Sequence, residues 1–159
     1  YELFNQYHNK VPFVRELSRQ VSNVAGSRGY IKTLLGRKRR FDLWEPRDSW
    51  GERAYSLAEA YSHYPKQELK RAYTHTALNA LIQGSSADIT KSAMIKIYEA
   101  GLLDEIDLKL TIHDELDFSI PWNKQKCFEE ALQIMKTCVK LKVPLKVDVE
   151  KGDNWGNAK

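Results

Sequence analysis

The chain has 159 residues, of which 42% are hydrophobic and 29% are charged, and this composition predicts one folded domain or part of a larger one. No apolar run approaches the ~20 residues of a membrane-spanning helix, and no basic-then-apolar leader begins the sequence. We therefore expect neither a membrane segment nor a secretory signal. Cys127 and Cys138 lie about 16 Å apart on a predicted helix, too far to bridge, which favours a reducing compartment such as the cytoplasm.

The net charge of +4 is modest, but the charges are unevenly distributed along the chain. No acidic residue lies between Glu16 and Asp42, and this stretch contains seven lysines and arginines. Apolar and aromatic residues are interleaved with them, which a free basic tail does not require. We therefore predict a folded edge that binds phosphates.

The first forty residues read as helix followed by a hairpin. Apolar residues recur at spacings of three and four over residues 1–27 and predict a helix, which Pro12 starts anew or kinks. This apolar stripe consists of Phe13, Val14, Leu17, Val21 and Val24. Residues 30–41 have the pattern of a short hairpin that turns around Leu35 and Gly36.

The middle of the chain carries the strongest helical pattern. Residues 42–51 read as a loop, and residues 55–64 read as a short helix or an irregular segment. Helical periodicity then extends over residues 66–101, with Gly101 expected to end the helix. Small residues at 84–86 interrupt the pattern and mark a bend or a boundary between two helices.

The last third of the chain predicts a second hairpin and another helix. Two apolar runs, residues 108–113 and 116–120, are separated by Asp114 and Glu115, which predicts a hairpin with these two residues in its turn. Residues 123–141 read as a helix, and residues 145–149 alternate as a final strand. The predicted fold class is α+β, with long helices packed on a small antiparallel sheet.

A carboxylate pair lies at the turn of this second hairpin. Acidic groups in an otherwise apolar hairpin cost free energy unless they are exposed or paired with a cation. Asp114 and Glu115 supply the hard oxygen ligands that Mg²⁺ prefers, and His113 precedes them. The alternative interpretation is a solvated turn without function, which is usual for an isolated acidic pair.

A row of uncharged polar side chains lies on the long predicted helix. His75, Asn79 and Gln83 recur at a spacing of four, which places them on one helix face, and Arg71 extends the row by one turn. Donors in such a row can reach the purine N3 and pyrimidine O2 atoms of a minor groove, which occupy similar places in every base pair. The row predicts duplex recognition by shape; the alternative is a solvated helix face.

Together these motifs resemble the C-terminal part of a family A DNA polymerase, the DNA polymerase I type. The matching stretches follow the family's order and span nearly the whole chain. They are residues 29–40, Asn79, residues 83–88, Lys91, Ala93, Met94, and residues 111–116, 143–145 and 152–155.

The resemblance implies that residues 1–159 form a palm and fingers segment of a polymerase domain, with the hairpin as its third catalytic motif. It implies that Asp114 binds the catalytic divalent metals, expected to be Mg²⁺, and that Glu115 assists nearby. It also places His113 close to the primer terminus. Two departures follow the motif, because Asp117 and Ser119 replace what are commonly an apolar and an acidic residue.

The resemblance also implies DNA contacts. Asn79 and Gln83 are expected in the minor groove of the primer–template. His75 stands where many cellular members carry arginine, and with the aromatic segment 41–50 it looks more like bacteriophage members, whose location is the host cytoplasm. The basic hairpin is expected near the nucleic-acid backbone, through Arg37, Lys38, Arg39 and Arg40.

Two parts of the family's machinery are not found in these 159 residues. One is the first motif, which supplies another metal-binding aspartate; the other is the helix that holds the incoming dNTP. We therefore expect this chain alone to be inactive and to work with the upstream part of the polymerase, in the same protein or as a second polypeptide. The absent partner surface is expected to leave exposed apolar area.

Two alternatives to the polymerase hypothesis are distinguishable by their residues. A duplex-DNA-binding fragment without catalysis would keep the basic hairpin and the polar row and would not need Asp114. An unrelated metal-dependent nuclease would use Asp114, Glu115 and Asp117 together. The ordered set of family stretches argues strongly against the nuclease.

Overall fold

In a computed structural model the structure describes residues 2–48 and 51–158. The chain forms two compact units, Tyr1–Ser85 and Ser86–Lys159. The elements are helices and three two-stranded antiparallel sheets, so the predicted α+β class is confirmed. No helix in the described ranges is long and apolar enough to cross a bilayer.

The first unit begins with two helices, α1 (Glu2–Lys10) and α2 (Pro12–Arg28), so the predicted division at Pro12 is confirmed. Proline is favoured at the first helical position because an N–H there would have no intrahelical acceptor, so proline loses no hydrogen bond by lacking one. The α2 helix ends at Gly29, whose left-handed φ of 77° lets its N–H bond the Ala25 carbonyl.

The apolar stripe of α2 is only partly in the core. Val21 and Ala25 are buried against Ile31, whereas Phe13 and Leu17 of the predicted stripe are exposed. This small core also includes Phe41 and Ala77, with Leu78, Ala80 and Leu81 packed on it.

The predicted basic hairpin is confirmed as strands β1 (Tyr30–Lys32) and β2 (Lys38–Arg40). It is followed by a second pair that the sequence did not predict, β3 (Trp44–Pro46) with β4 (Leu69–Arg71). Between them lies helix α3 (Leu57–His63), which begins with a capping box. The prediction of a loop over residues 42–51 was therefore wrong at β3; Trp50 lies outside the described residues.

The long helix starts later than predicted. Helix α4 spans Ala77–Glu99, and a 3₁₀ turn at Thr74–Thr76 precedes it. Residues 69–71 are recruited into β4 by pairing with distant residues, which helical periodicity cannot reveal. The expected interruption at residues 84–86 is absent because α4 is continuous there. Gly101, with a φ of 70°, follows the end of α4 as predicted.

The second unit continues with strands β5 (Asp107–Ile112) and β6 (Glu115–Ser119) and helix α5 (Gln125–Thr137). Its core consists of Ile97, Leu102, Ile106 and Ala131, all buried. The α5 helix ends four residues earlier than predicted, and Cys127 and Cys138 are both free thiols as expected.

The predicted final strand is not formed. Residues 145–149 pair with no strand in the described part of the chain, although Leu145 and Val147 are half-buried and their neighbours are exposed. The alternation of the sequence is therefore real, but alternation alone does not supply a pairing partner.

Candidate metal and nucleic-acid binding sites

The predicted second hairpin is confirmed as β5 and β6, but its turn lies one residue earlier than predicted. We call it the catalytic-motif hairpin after the motif that it resembles. Ile112 and Glu115 form the last pair of the ladder, so His113 and Asp114 make the turn and Glu115 belongs to β6. His113 has a φ of 54°, which a tight two-residue hairpin turn requires at its first position. Asp114 therefore lies at the tip of the hairpin.

The strand β5 has one extra residue, Lys109, at a shift in its register with β6. The register shifts between Leu108, which is opposite Phe118, and Leu110, which is opposite Asp117. Since strand side chains alternate, one extra residue moves Leu110 off the face that Leu108 occupies. Leu110 is consequently 46% exposed although the run of residues around it is apolar.

The strands of the hairpin are held by the core of the second unit. Leu116, Phe118 and Ile120 pack against the buried cluster around Ile97 and Ala131. Phe118 also meets the ring of Phe128 edge-on, with centroids 6.4 Å apart. These contacts fix β6, and through its pairing with β5 they hold the two residues of the turn in place.

The three motif residues, His113, Asp114 and Glu115, are exposed at the end of this hairpin. Among the described residues, no side-chain hydrogen bond or ion pair engages His113, Asp114 or Glu115. No group of three His, Cys, Asp or Glu side chains in residues 2–48 and 51–158 is arranged to hold a metal. The open carboxylates fit Mg²⁺ by donor type, but they supply only part of a coordination shell.

Asp117 does not join this pair of carboxylates. It lies opposite Leu110 on β6, and its Oδ2 is buried without a hydrogen-bond partner among the described residues. Among the described residues, Asp114, Glu115 and Asp117 form no group that could hold a metal ion.

The polar row is partly preserved. Asn79 and Gln83 are exposed one turn apart on α4, so these two side chains share a helix face. His75 is also exposed, but it lies in the 3₁₀ turn before the helix rather than on the helix itself.

The placement of Arg71 in this row was wrong. Arg71 ends strand β4 and is half-buried, with its guanidinium 4.5 Å from the Trp44 ring centroid. Its Nη1 donates to the Phe41 carbonyl at 2.8 Å, and the group lies against Gly29. Arg71 therefore fastens the end of the basic hairpin to the neighbouring sheet instead of extending a helix face.

The basic hairpin exposes its charges along β2. Lys38 lies 4.9 Å from the Tyr30 ring centroid, and Arg39 lies 5.8 Å from that of Phe41. All three residues of β2 are exposed. Arg37 differs, because its Nη2 donates to the Gly84 carbonyl of α4 at 2.9 Å. This contact between the hairpin and α4 was missed; the run of small residues at 84–86 was its only signal in the sequence.

The chain was compared with known proteins. The family model for DNA polymerase family A matches residues 1–157. A DNA-directed DNA polymerase of Pseudomonas phage M6 is 40% identical over 98% of this chain, and DNA polymerase theta of Drosophila melanogaster is 33% identical over 98%. This chain spans 19% and 7% of those two proteins.

A solved structure shares the fold. It is the POL domain of Pol1 from M. smegmatis in complex with DNA primer–template and dNTP, with a TM-score of 0.74 and 32% identity. The match covers 98% of this chain and 25% of that one. Because the family model covers nearly all of its residues, the chain belongs to DNA polymerase family A.

Proposed function

We propose that residues 1–159 are the C-terminal palm and fingers segment of a DNA polymerase and take part in template-directed DNA synthesis. The reaction transfers a nucleotidyl group from a dNTP to a primer 3′-hydroxyl. The observation that carries the proposal is the exposed Asp114 at the tip of a hairpin whose strands are anchored in a core, in a family A chain. The M. smegmatis relative was solved with primer–template and dNTP, which supports the same two partners here.

Asp114 and Glu115 are the proposed ligands of Mg²⁺, with Asp114 essential and Glu115 assisting. The chemistry that two bound metal ions supply to this reaction is activation of the primer 3′-hydroxyl and stabilisation of the leaving pyrophosphate. The chain's own contribution is to hold the Asp114 carboxylate at the turn and the Glu115 carboxylate at the start of β6, both exposed and without a competing partner among the described residues. His113, in the same turn, is proposed to lie beside the primer terminus.

The exposed side chains of His75, Asn79 and Gln83 are the proposed minor-groove contacts. Their donors would test the shape of the primer–template without reading its sequence. Lys38, Arg39 and Arg40 are the proposed phosphate contacts, since all three are exposed on one strand. Arg71 is not proposed to touch DNA, because its guanidinium is occupied by Phe41 and Trp44.

We further propose that these 159 residues are inactive alone. Asp114 and Glu115 provide part of a metal site, and two-metal chemistry requires carboxylates from a second place in the protein. The ligands missing here would come from the upstream part of the polymerase, in the same protein or as a second polypeptide. The 40% identical phage relative supports a phage-type enzyme, acting in the cytoplasm of its host.

Single-nucleotide incorporation by the full polymerase tests the assignment of Asp114. We expect Asp114→Asn to lower the incorporation rate by about a thousandfold or more while duplex affinity changes little, because metal binding supplies several kcal/mol of transition-state stabilisation. The control is Asp107→Asn at the other end of β5, which removes only an exposed ion pair with Lys109. Equal rates for the two variants would contradict the metal assignment.

The second candidate is a duplex-binding fragment without catalysis. It is favoured by the observation that the proposed DNA contacts all lie in the unit Tyr1–Ser85, whereas the carboxylates lie in the other unit. Adding the upstream polypeptide to this chain distinguishes the two. Restored incorporation supports the polymerase, and duplex binding without restored incorporation supports the fragment.

A further inference from the structure

The tip of the basic hairpin is hydrogen-bonded to helix α4 immediately after Gln83. The backbone N–H of Leu34 donates to Ser85 Oγ at 3.0 Å, and that hydroxyl donates to the Leu81 carbonyl at 2.7 Å. Arg37 Nη2 donates to the Gly84 carbonyl at 2.9 Å. Two consecutive residues of α4 thus accept both connections from the hairpin.

Gly84 allows this approach because it has no Cβ. A Cβ at Gly84 would lie 2.8 Å from Thr33 Cγ2 and 3.2 Å from Arg37 Nη2, so either the hairpin must move or the Thr33 side chain must turn and disturb its hydrogen bond to the Arg37 carbonyl. Gly84 lies within α4, where glycine is less favourable than alanine because it loses more conformational entropy on folding. The glycine is therefore explained by the close contact rather than by backbone conformation.

The contact divides the basic residues of the hairpin by task. Arg37 donates to a carbonyl of α4, whereas Lys38, Arg39 and Arg40 are all exposed on β2. Since the tip is tied to residues 84 and 85, the cations of β2 are held at a fixed distance from Gln83.

We propose that Gly84 and Ser85 form a docking site for the hairpin tip, and that Gly84, Ser85 and Arg37 are positioning residues for DNA binding. The docking site holds the phosphate-contacting cations of β2 at a fixed distance from the Gln83 amide, which contacts the minor groove. One duplex can then contact the cations through its phosphates and Gln83 through its minor groove. The inference rests on the proposed function, because it assigns a geometry to those DNA contacts.

Primer–template affinity of the full polymerase, measured at several salt concentrations, tests this proposal. We expect Gly84→Ala to weaken binding by about tenfold and to reduce the slope of log Kd against log salt, because displaced cations release fewer counterions. The matched control is Gly26→Ala in α2, where an added Cβ meets nothing within 4 Å. Both variants replace a glycine within a helix by alanine, and only the Cβ added at residue 84 meets the hairpin.

A rescue experiment separates the contact from a general loss of stability. Thr33→Ser removes the methyl group that the new Cβ would meet and keeps the hydroxyl that bonds the Arg37 carbonyl. We expect Gly84→Ala with Thr33→Ser to recover most of the affinity and the salt slope. Failure of the second substitution to recover either would overturn the proposal.

A hydroxyl deletion keeps the test decisive if Gly84→Ala does not fold. Ser85→Ala removes the acceptor of the Leu34 N–H, and Ser86→Ala is its control because Ser86 is exposed. We expect Ser85→Ala to bind primer–template about threefold more weakly than the wild type, and Ser86→Ala to bind it with unchanged affinity. Equal affinities for Ser85→Ala and Ser86→Ala, or for Gly84→Ala and Gly26→Ala, would contradict the docking site. A wild-type polymerase that binds no primer–template would instead contradict the proposed function.

Discussion

The two hairpins of this chain are anchored in opposite ways. In the basic hairpin the tip is fixed, through bonds from Leu34 and Arg37 to helix α4, and the strand β2 is exposed. In the catalytic-motif hairpin the strand β6 is fixed, through Leu116 and Phe118 packed against the core, and the tip is exposed.

The difference shows how each hairpin can carry charge. A charged group is costly to bury unless it is paired, so ligand-binding charges must lie on the part of an element that the fold does not pack. The proposed phosphate-binding cations therefore lie along an exposed strand, and the proposed metal ligands Asp114 and Glu115 lie at an exposed turn and the first residue of the strand after it.

The largest effect is expected from loosening the strands of the catalytic-motif hairpin. Ile97 is fully buried beneath them, so Ile97→Ala should cost about 2–5 kcal/mol of unfolding free energy and lower the incorporation rate. Ile95→Ala on the same helix is the control, since Ile95 is 56% exposed and should cost no more than about 0.5 kcal/mol. Hydrogen exchange of the β5 and β6 amides in the polymerase measures the effect of each variant. Equal protection in the two variants would contradict the claim that the core around Ile97 holds the hairpin.

Removing the cations of β2 should have the next largest effect. We expect Lys38, Arg39 and Arg40 together replaced by alanine to weaken duplex binding by about a hundredfold and to lower the salt slope by about 0.9 per lost phosphate contact. The rate at saturating DNA should change little. Neutralising Lys66, Lys140 and Lys142, three exposed lysines, removes the same charge; an equally reduced salt slope would show that net charge alone acts.

Gln83 should have a smaller effect that sharpens the same comparison. We expect Gln83→Ala to slow matched primer extension and to reduce discrimination against a mismatched terminus by about tenfold or less, because one shape-testing donor is lost. Gln133→Ala, an exposed glutamine on α5, is the control. Steady-state extension of matched and mismatched primers measures the effect, and unchanged discrimination would remove Gln83 from the minor groove.

The smallest effect concerns the cap of α3, outside both hairpins. Glu59 accepts hydrogen bonds from the Ser56 hydroxyl and N–H, and these bonds lower the pKa of its carboxyl below the ordinary value of 4.5. A lowered folded-state pKa contributes stability above pH 4.5 that is lost as the pH falls through the folded-state pKa. Ser56→Ala should therefore weaken amide protection of α3 slightly at neutral pH, and this deficit should shrink in acid.

Local sequence signals predicted the elements whose cause is local. Pro12 and Gly29 set the ends of α2 through their own backbone preferences, and the turn residues predicted both hairpins. The tip of the catalytic-motif hairpin was missed by one residue, because the position of the turn depends on which residues pair across the strands, and Ile112 pairs with Glu115.

Long-range partners explain the errors. Strand β4 resembles the start of a helix in sequence, and only its pairing with β3 removes Arg71 from the polar row. The docking of the basic hairpin on Gly84 was likewise missed, since a run of small residues identifies a contact only when its neighbour in space is known. Large apolar side chains are exposed, among them Phe13 and Trp122, which is 87% exposed. That an upstream part of the polymerase covers such residues stays a prediction.

The assignment of Asp114 as a metal ligand is tested most directly by locating the bound metal ion in the full polymerase. Fe²⁺ replacing Mg²⁺, with ascorbate and peroxide, generates radicals that cut the backbone near the bound ion, and mass spectrometry locates the cuts. We predict cleavage within residues 112–116 that excess Mg²⁺ suppresses and Asp114→Asn abolishes. Cleavage that avoids the catalytic-motif hairpin, or that persists unchanged in Asp114→Asn, would contradict the account.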